Sequence, residues 1–116
     1  MNPSALFIIT GDPRVSPRPA EALRIAAGVG TWQKTAVSVY LRDSAVLALS
    51  EVTDEWVDDE NFRRYLPILA EWGRPIYVQQ GAPMLAQMGR PSLRCEEIDD
   101  ARLALLAAGS ACVLRF

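Results

Sequence analysis

The sequence contains no histidine. That absence excludes a His-ligated zinc site and a Ser/His/Asp triad, and it removes the commonest general base near neutral pH. Cysteine is scarce: Cys95 and Cys112 are too few for a disulfide framework, and no Cys-x-x-Cys occurs. Aromatic residues make up only 8% of the chain, and no Lys/Arg run is interleaved with them. With a net charge of −2 and a pI near 5.1, a general nucleic-acid-binding surface is not expected. No apolar segment approaches the roughly 20 residues needed to span a bilayer. Met1-Asn2-Pro3-Ser4 lacks the charged n-region of a signal peptide, so a soluble cytoplasmic protein without membrane contact is the expectation.

What is present is an alternation of short apolar runs and helical spacings. Ala5 to Thr10 is apolar and ends at Gly11-Asp12-Pro13, the pattern of a buried strand closed by a turn. Three prolines stiffen the loop over residues 11–19, and Pro19 suits the first turn of a helix running to Trp32. That helix buries Leu23, Ala26, Ala27 and Gly30. Ala36 to Leu41 is β-branched and stops at Arg42-Asp43, giving a second strand and hence a crossover unit with parallel pairing. Asp43 or Ser44 is positioned to cap a helix over Ala45–Leu49.

Glu51 to Glu60 then holds six acidic residues and no basic one, the composition of a solvated loop. Asn61 to Trp72 has helical spacing, with Pro67 expected to kink it or divide it in two, and Gly73 ends it. Pro75–Gln79 forms a third strand and Met84–Met88 a short helix. Gly89-Arg90-Pro91 is a break, and Ser92 to Ile98 carries a short edge strand around Leu93–Cys95. Asp99-Asp100 caps a helix over Ala101–Ala108, Gly109 follows it, and Ala111–Leu114 is the last strand. Five strands alternating with helices predict one domain over residues 1–116, a three-layer α/β/α sandwich on a mainly parallel five-stranded sheet.

Functional groups in such sheets collect at the carboxyl ends of the strands, which places Gly11, Asp12, Arg42, Gln79 and Gln80 together as a candidate ligand site. Asp12 and Asp43 are equally ordinary as turn and cap residues. Arg42, a long cation directly after a buried strand, suits a salt bridge or a bound anion. Gly11-Asp12-Pro13-Arg14 matches neither glycine-rich phosphate-loop pattern, so no nucleotide cofactor is implied, and no metal. Cys112, inside an apolar strand, reads as a core residue. Cys95 is the candidate for reactivity: neighbouring Arg94 favours a thiolate, whereas Glu96 and Glu97 oppose one. Trp32, Trp56 and Trp72 read as helix-end or interface residues.

Residues 6–13 (Leu-Phe-Ile-Ile-Thr-Gly-Asp-Pro), 20–26 (Ala-Glu-Ala-Leu-Arg-Ile-Ala) and 39–46 (Val-Tyr-Leu-Arg-Asp-Ser-Ala-Val) together resemble the DsrE/DsrF-like family of small sulfur-relay proteins. The strand at Ile76–Val78 and the final Ala108-Gly109-Ser110-Ala111 add weaker support. The resemblance spans nearly the whole chain but rests on patterned hydrophobics and small residues. It implies a DsrEFH-like α/β/α domain assembled as a homo-oligomer, a trimer or hexamer, with a sulfur-relay protein as a possible partner. Members active in sulfur transfer carry a Cys in the loop after the strand matching Ile76–Val78. Here that stretch, Val78 to Met84, contains none. No amide replaces a thiolate nucleophile, so the resemblance implies a non-catalytic binding or structural subunit. The alternative is a sulfurtransferase or persulfide carrier using Cys95.

Overall fold

Two six-residue apolar runs, β1 (Ser4–Ile9) and β2 (Ala36–Leu41), form the centre of the sheet, paired in parallel from Ser4↔Ala36 to Ile9↔Leu41. The structure is a computed structural model that describes residues 4–31, 35–50, 56–71, 76–88 and 93–116. Three shorter strands complete the sheet: β3 (Ile76–Gln79), β4 (Cys95–Ile98) and β5 (Cys112–Arg115). Their order is β4-β3-β2-β1-β5, and every pairing among them is parallel. Near-continuous burial of β1 is what a central strand covered on both faces requires.

Alternate side chains of each strand point to opposite faces, which divides the core in two. Ala5, Phe7, Ile9, Val37, Val39, Leu41, Ile76 and Val78 enter the larger cluster. Helix α1 (Arg18–Gly30) lies over β1 and β2 on this face, and α2 (Asp59–Glu71) packs beside it. Small residues Ala20, Ala22, Ala26 and Ala27 bring α1 close to the sheet, with Leu23 fully buried. Leu6, Ile8, Tyr40 and Ile98 form the second cluster, covered by Leu103, Leu106 and Ala107 of α4 (Asp100–Ala108). The molecule is thus the expected three-layer α/β/α sandwich.

Several local expectations need correction. The segment after β2 is a 3₁₀ helix, Asp43–Leu49, and no side chain caps it; Arg42 occupies the cap position. Asp43 takes a left-handed φ of 54°, so its side chain is not in the geometry of an N-cap. The end of the acidic stretch is not loop, because Asp59 and Glu60 form the first turn of α2, where negative charge suits the helix dipole. Residues 51–55 of that stretch lie outside the described residues, as do Trp32, Trp72, Gly73 and Gly89-Arg90-Pro91.

Pro67 does not divide α2, which runs as one element from Asp59 to Glu71. Helix α3 (Leu85–Met88) is a single turn packed against the 3₁₀ helix. Asp99 caps α4 as expected, accepting from Arg102 N at 2.8 Å. Cys112 is not a core residue but exposed. Its strand is the sheet edge beyond β1, and α1 lies over β1 and β2 rather than over this edge.

Candidate functional site

The carboxyl ends of β1, β2 and β3 carry the five residues expected to form a ligand site. Gly11 has a packing reason for its identity: a Cβ there would come within 3.1 Å of Pro19 Cδ. Asp12 closes its own turn, with its main-chain oxygen accepting from Ser16 N at 2.9 Å and its carboxylate from Arg14 N at 2.9 Å. The same carboxylate binds the Arg14 guanidinium at 2.8 Å. This hydrogen-bonded pairing holds the Asp12 carboxyl below the usual aspartate range. Gln79 Oε1 accepts from Asp43 N at 2.9 Å, tying β3 to the left-handed residue that leaves β2. Gln80 is exposed, and its main-chain N–H donates to Ile98 O.

Arg42 faces elsewhere. Its guanidinium donates to Asp100 at 3.1 Å and approaches the Tyr40 hydroxyl at 3.5 Å. Burial pushes the Tyr40 phenol up, so its hydroxyl stays neutral at physiological pH, with Arg42 acting in the opposite sense. Asp100 and Asp43 are the carboxylates within electrostatic reach of Tyr40.

A groove of about 450 Å³ opens beside Arg42, lined by Ile8, Thr10, Arg18, Arg42, Leu103, Arg115 and Phe116. Strand register explains why these residues meet. Ile8 is level with Tyr40 on one side and Arg115 on the other, so all three project to the α4 face. Two residues further on, Thr10 and Arg42 project the same way. Leu103 comes from α4, and Arg18 from the first turn of α1. The Phe116 ring stacks on Phe7 with centroids 5.8 Å apart, and its main-chain oxygen accepts from both Thr10 N and Thr10 Oγ1.

Of the five expected site residues, only Arg42 lines this groove. Arg18, Arg115 and Thr10 were not singled out from the sequence. Arg115 lies at the far end of the chain, and only the β1–β5 register brings it level with Ile8.

The cysteines contribute little to this edge. Cys95 begins β4, level with Ile76 at the opposite end of the strands, and is half-buried. Burial, and secondarily Glu97, pushes its thiol up. Among the described residues, no cluster of three or more His, Cys, Asp or Glu is placed to hold a metal ion. None of the helices described is long and apolar enough to cross a membrane.

No family model matches the chain, and no curated protein matches it in sequence. Among solved structures, the crystal structure of the ychN protein from E. coli superposes over 100% of both chains, with a TM-score of 0.79 and 19% sequence identity. The chain has the YchN fold. At that identity the likeness is one of architecture, and it agrees with the DsrE-like α/β sandwich expected from the sequence. YchN and this chain therefore share a scaffold whose strand ends and loops carry whatever distinguishes them.

Proposed function

We propose that the chain is a non-catalytic binding or structural subunit of the DsrE-like kind, working as a homo-oligomer in or near sulfur relay in the cytoplasm. The observation that carries this reading is the turn after β3. By the resemblance, Gln79, Gln80, Gly81 and Ala82 correspond to the loop where the sulfur-carrying members hold a thiol, and none of them is Cys. Gln79 is committed to the Asp43 main chain, and Gly81 takes a φ of +73° that favours glycine. The turn is thus built as a structural link between β2 and β3. Cys95 is a poor substitute nucleophile, because burial and Glu97 both favour the protonated thiol.

Self-association suits the exposed apolar residues Leu105 of α4 and Val113 and Leu114 of β5. The resemblance implies a trimer or hexamer, with a sulfur-relay protein as a further partner.

Intact-protein mass spectrometry after incubation with a persulfide donor tests the non-catalytic reading, comparing wild type with Cys95→Ser and Cys112→Ser. The expected result is no sulfur adduct on Cys95; any adduct follows the exposed Cys112 and is lost in Cys112→Ser. A sulfur adduct that disappears in Cys95→Ser overturns the reading in favour of a persulfide carrier.

A further inference from the structure

We propose that the groove at the carboxyl ends of β1, β2 and β5 binds a phosphomonoester with an apolar body. The inference names what such a binding subunit takes up, so it rests on that reading. Phosphoester binding and persulfide loading are read by separate measurements, so either can fail alone.

Charge is the first argument. The chain has a net charge of −2, yet three guanidinium groups, Arg18, Arg42 and Arg115, converge on one groove with no carboxylate side chain in its lining. Asp100, outside the lining, offsets Arg42 at 3.1 Å. Neither Arg18 nor Arg115 has a carboxylate at ion-pair distance among the described residues. Two arginines without an ion-pair partner among the described residues suit a phosphomonoester, which carries about −1.5 to −2 near neutral pH. A guanidinium also presents its donors in a fork that fits phosphate oxygens.

Shape and lining supply the second argument. A volume of about 450 Å³ exceeds what a bare anion needs and falls in the usual range for small-molecule pockets. Between the arginines the apolar side chains on this face are Ile8 and Leu103, whereas the Phe116 ring packs on Phe7 toward the other face. Thr10 offers no free hydroxyl proton, because it donates to Phe116 O, so the arginines must supply the anion's donors. Such a groove combines a cationic rim for the phosphoryl group with an apolar bed for the remainder of the ligand.

The site also lies where the direction of the chain crossovers changes. The crossovers from β1 to β3 carry α1 and α2 on one face, whereas the β4–β5 crossover carries α4 on the other. Parallel sheets open a crevice at such a strand-end position.

Calorimetric titration with phenyl phosphate, inorganic phosphate, benzoate and phenol tests the proposal. Wild type is expected to bind phenyl phosphate saturably and more tightly than the other three probes. Arg18→Gln and Arg115→Gln should each weaken it roughly tenfold, the scale of one lost charge-assisted contact. Both side chains are exposed, so folding is expected to survive, checked by circular dichroism. The double variant Arg64→Gln/Arg94→Gln removes two exposed arginines from outside the groove lining and should leave affinity unchanged. An equal loss in that control means diffuse charge attraction and overturns the proposal. Inorganic phosphate or phenol binding as tightly as phenyl phosphate overturns it as well, as does the absence of saturable binding.

Discussion

Asp12 shows how a strand-end carboxylate in the expected ligand position can be occupied by local structure. Its carboxylate accepts from both the main chain and the guanidinium of Arg14. The hydrogen bond to that side chain is the largest cause of its lowered pKa, with burial opposing it. Arg14→Gln should therefore raise the Asp12 pKa toward the ordinary value of 3.8, as read by NMR titration of its carboxyl carbon. Because the folded-state pKa is depressed, the pair stabilises the fold above the unfolded value and loses that contribution as pH falls through the folded one. The stability gap between wild type and variant should close over the same acidic range, and it is small because the pair is solvent-exposed. An Asp12 pKa identical in both proteins would refute this account. Sequence alone left Asp12 open between turn residue and ligand, since both uses require an acceptor after a strand. Only the position of Arg14 decides between them.

At the scale of elements, β1, β2, β3 and α1 were legible because their signals are local, whereas β4 lies at Cys95–Ile98, later than the expected centre at Leu93–Cys95. Period-two alternation and helical spacing set which side chains face the sheet, and β2 falls on Ala36–Leu41 as expected. Helix α2 was harder to read, because Pro67 argues locally for a break. Phe62, Leu66 and Leu69 are buried at helical spacing, each stabilising by about 1.5–3 kcal/mol. Their sum exceeds the roughly 3 kcal/mol that an interior proline costs relative to alanine. Asn61 Nδ2 also holds the helix to Ala20 O of α1 at 3.2 Å. Tertiary burial therefore overrides the local preference. Pro67 is exposed, so Pro67→Ala should leave the packing intact and restore one backbone donor. The expected gain is about 2 kcal/mol, less than the full helix preference because alanine also frees the unfolded chain. A higher urea midpoint with unchanged slope reports it. A lower midpoint would mean that the proline's constraint on the unfolded chain outweighs its cost in the helix.

Over the whole molecule, the least legible feature was which surfaces remain uncovered. Cys112, Val113 and Leu114 read as a core strand, and a sequence contains no sign that a fifth strand will lie at the edge beyond β1. The arginine groove was hidden for the same reason, because Arg18, Arg42 and Arg115 meet only through long-range register. The topology leaves α4 with no fully buried residue and β5 exposed along its length, with Leu105 71% exposed. Open strand edges bearing apolar side chains are templates for association. The proposed homo-oligomerisation, if it runs through this face, would cover apolar residues that the single chain does not bury. Leu105→Glu should leave monomer stability within about 0.5 kcal/mol, as for most surface substitutions, while shifting the assembly toward monomer. Light scattering coupled to size-exclusion chromatography measures the shift, and thermal unfolding of the dilute protein checks that the fold is retained. A wild-type chain that stays monomeric at high concentration would refute self-association itself. An assembly unaffected by Leu105→Glu would move the interface away from α4. In the expected outcome, the α4–β5 face is a core that is completed between chains.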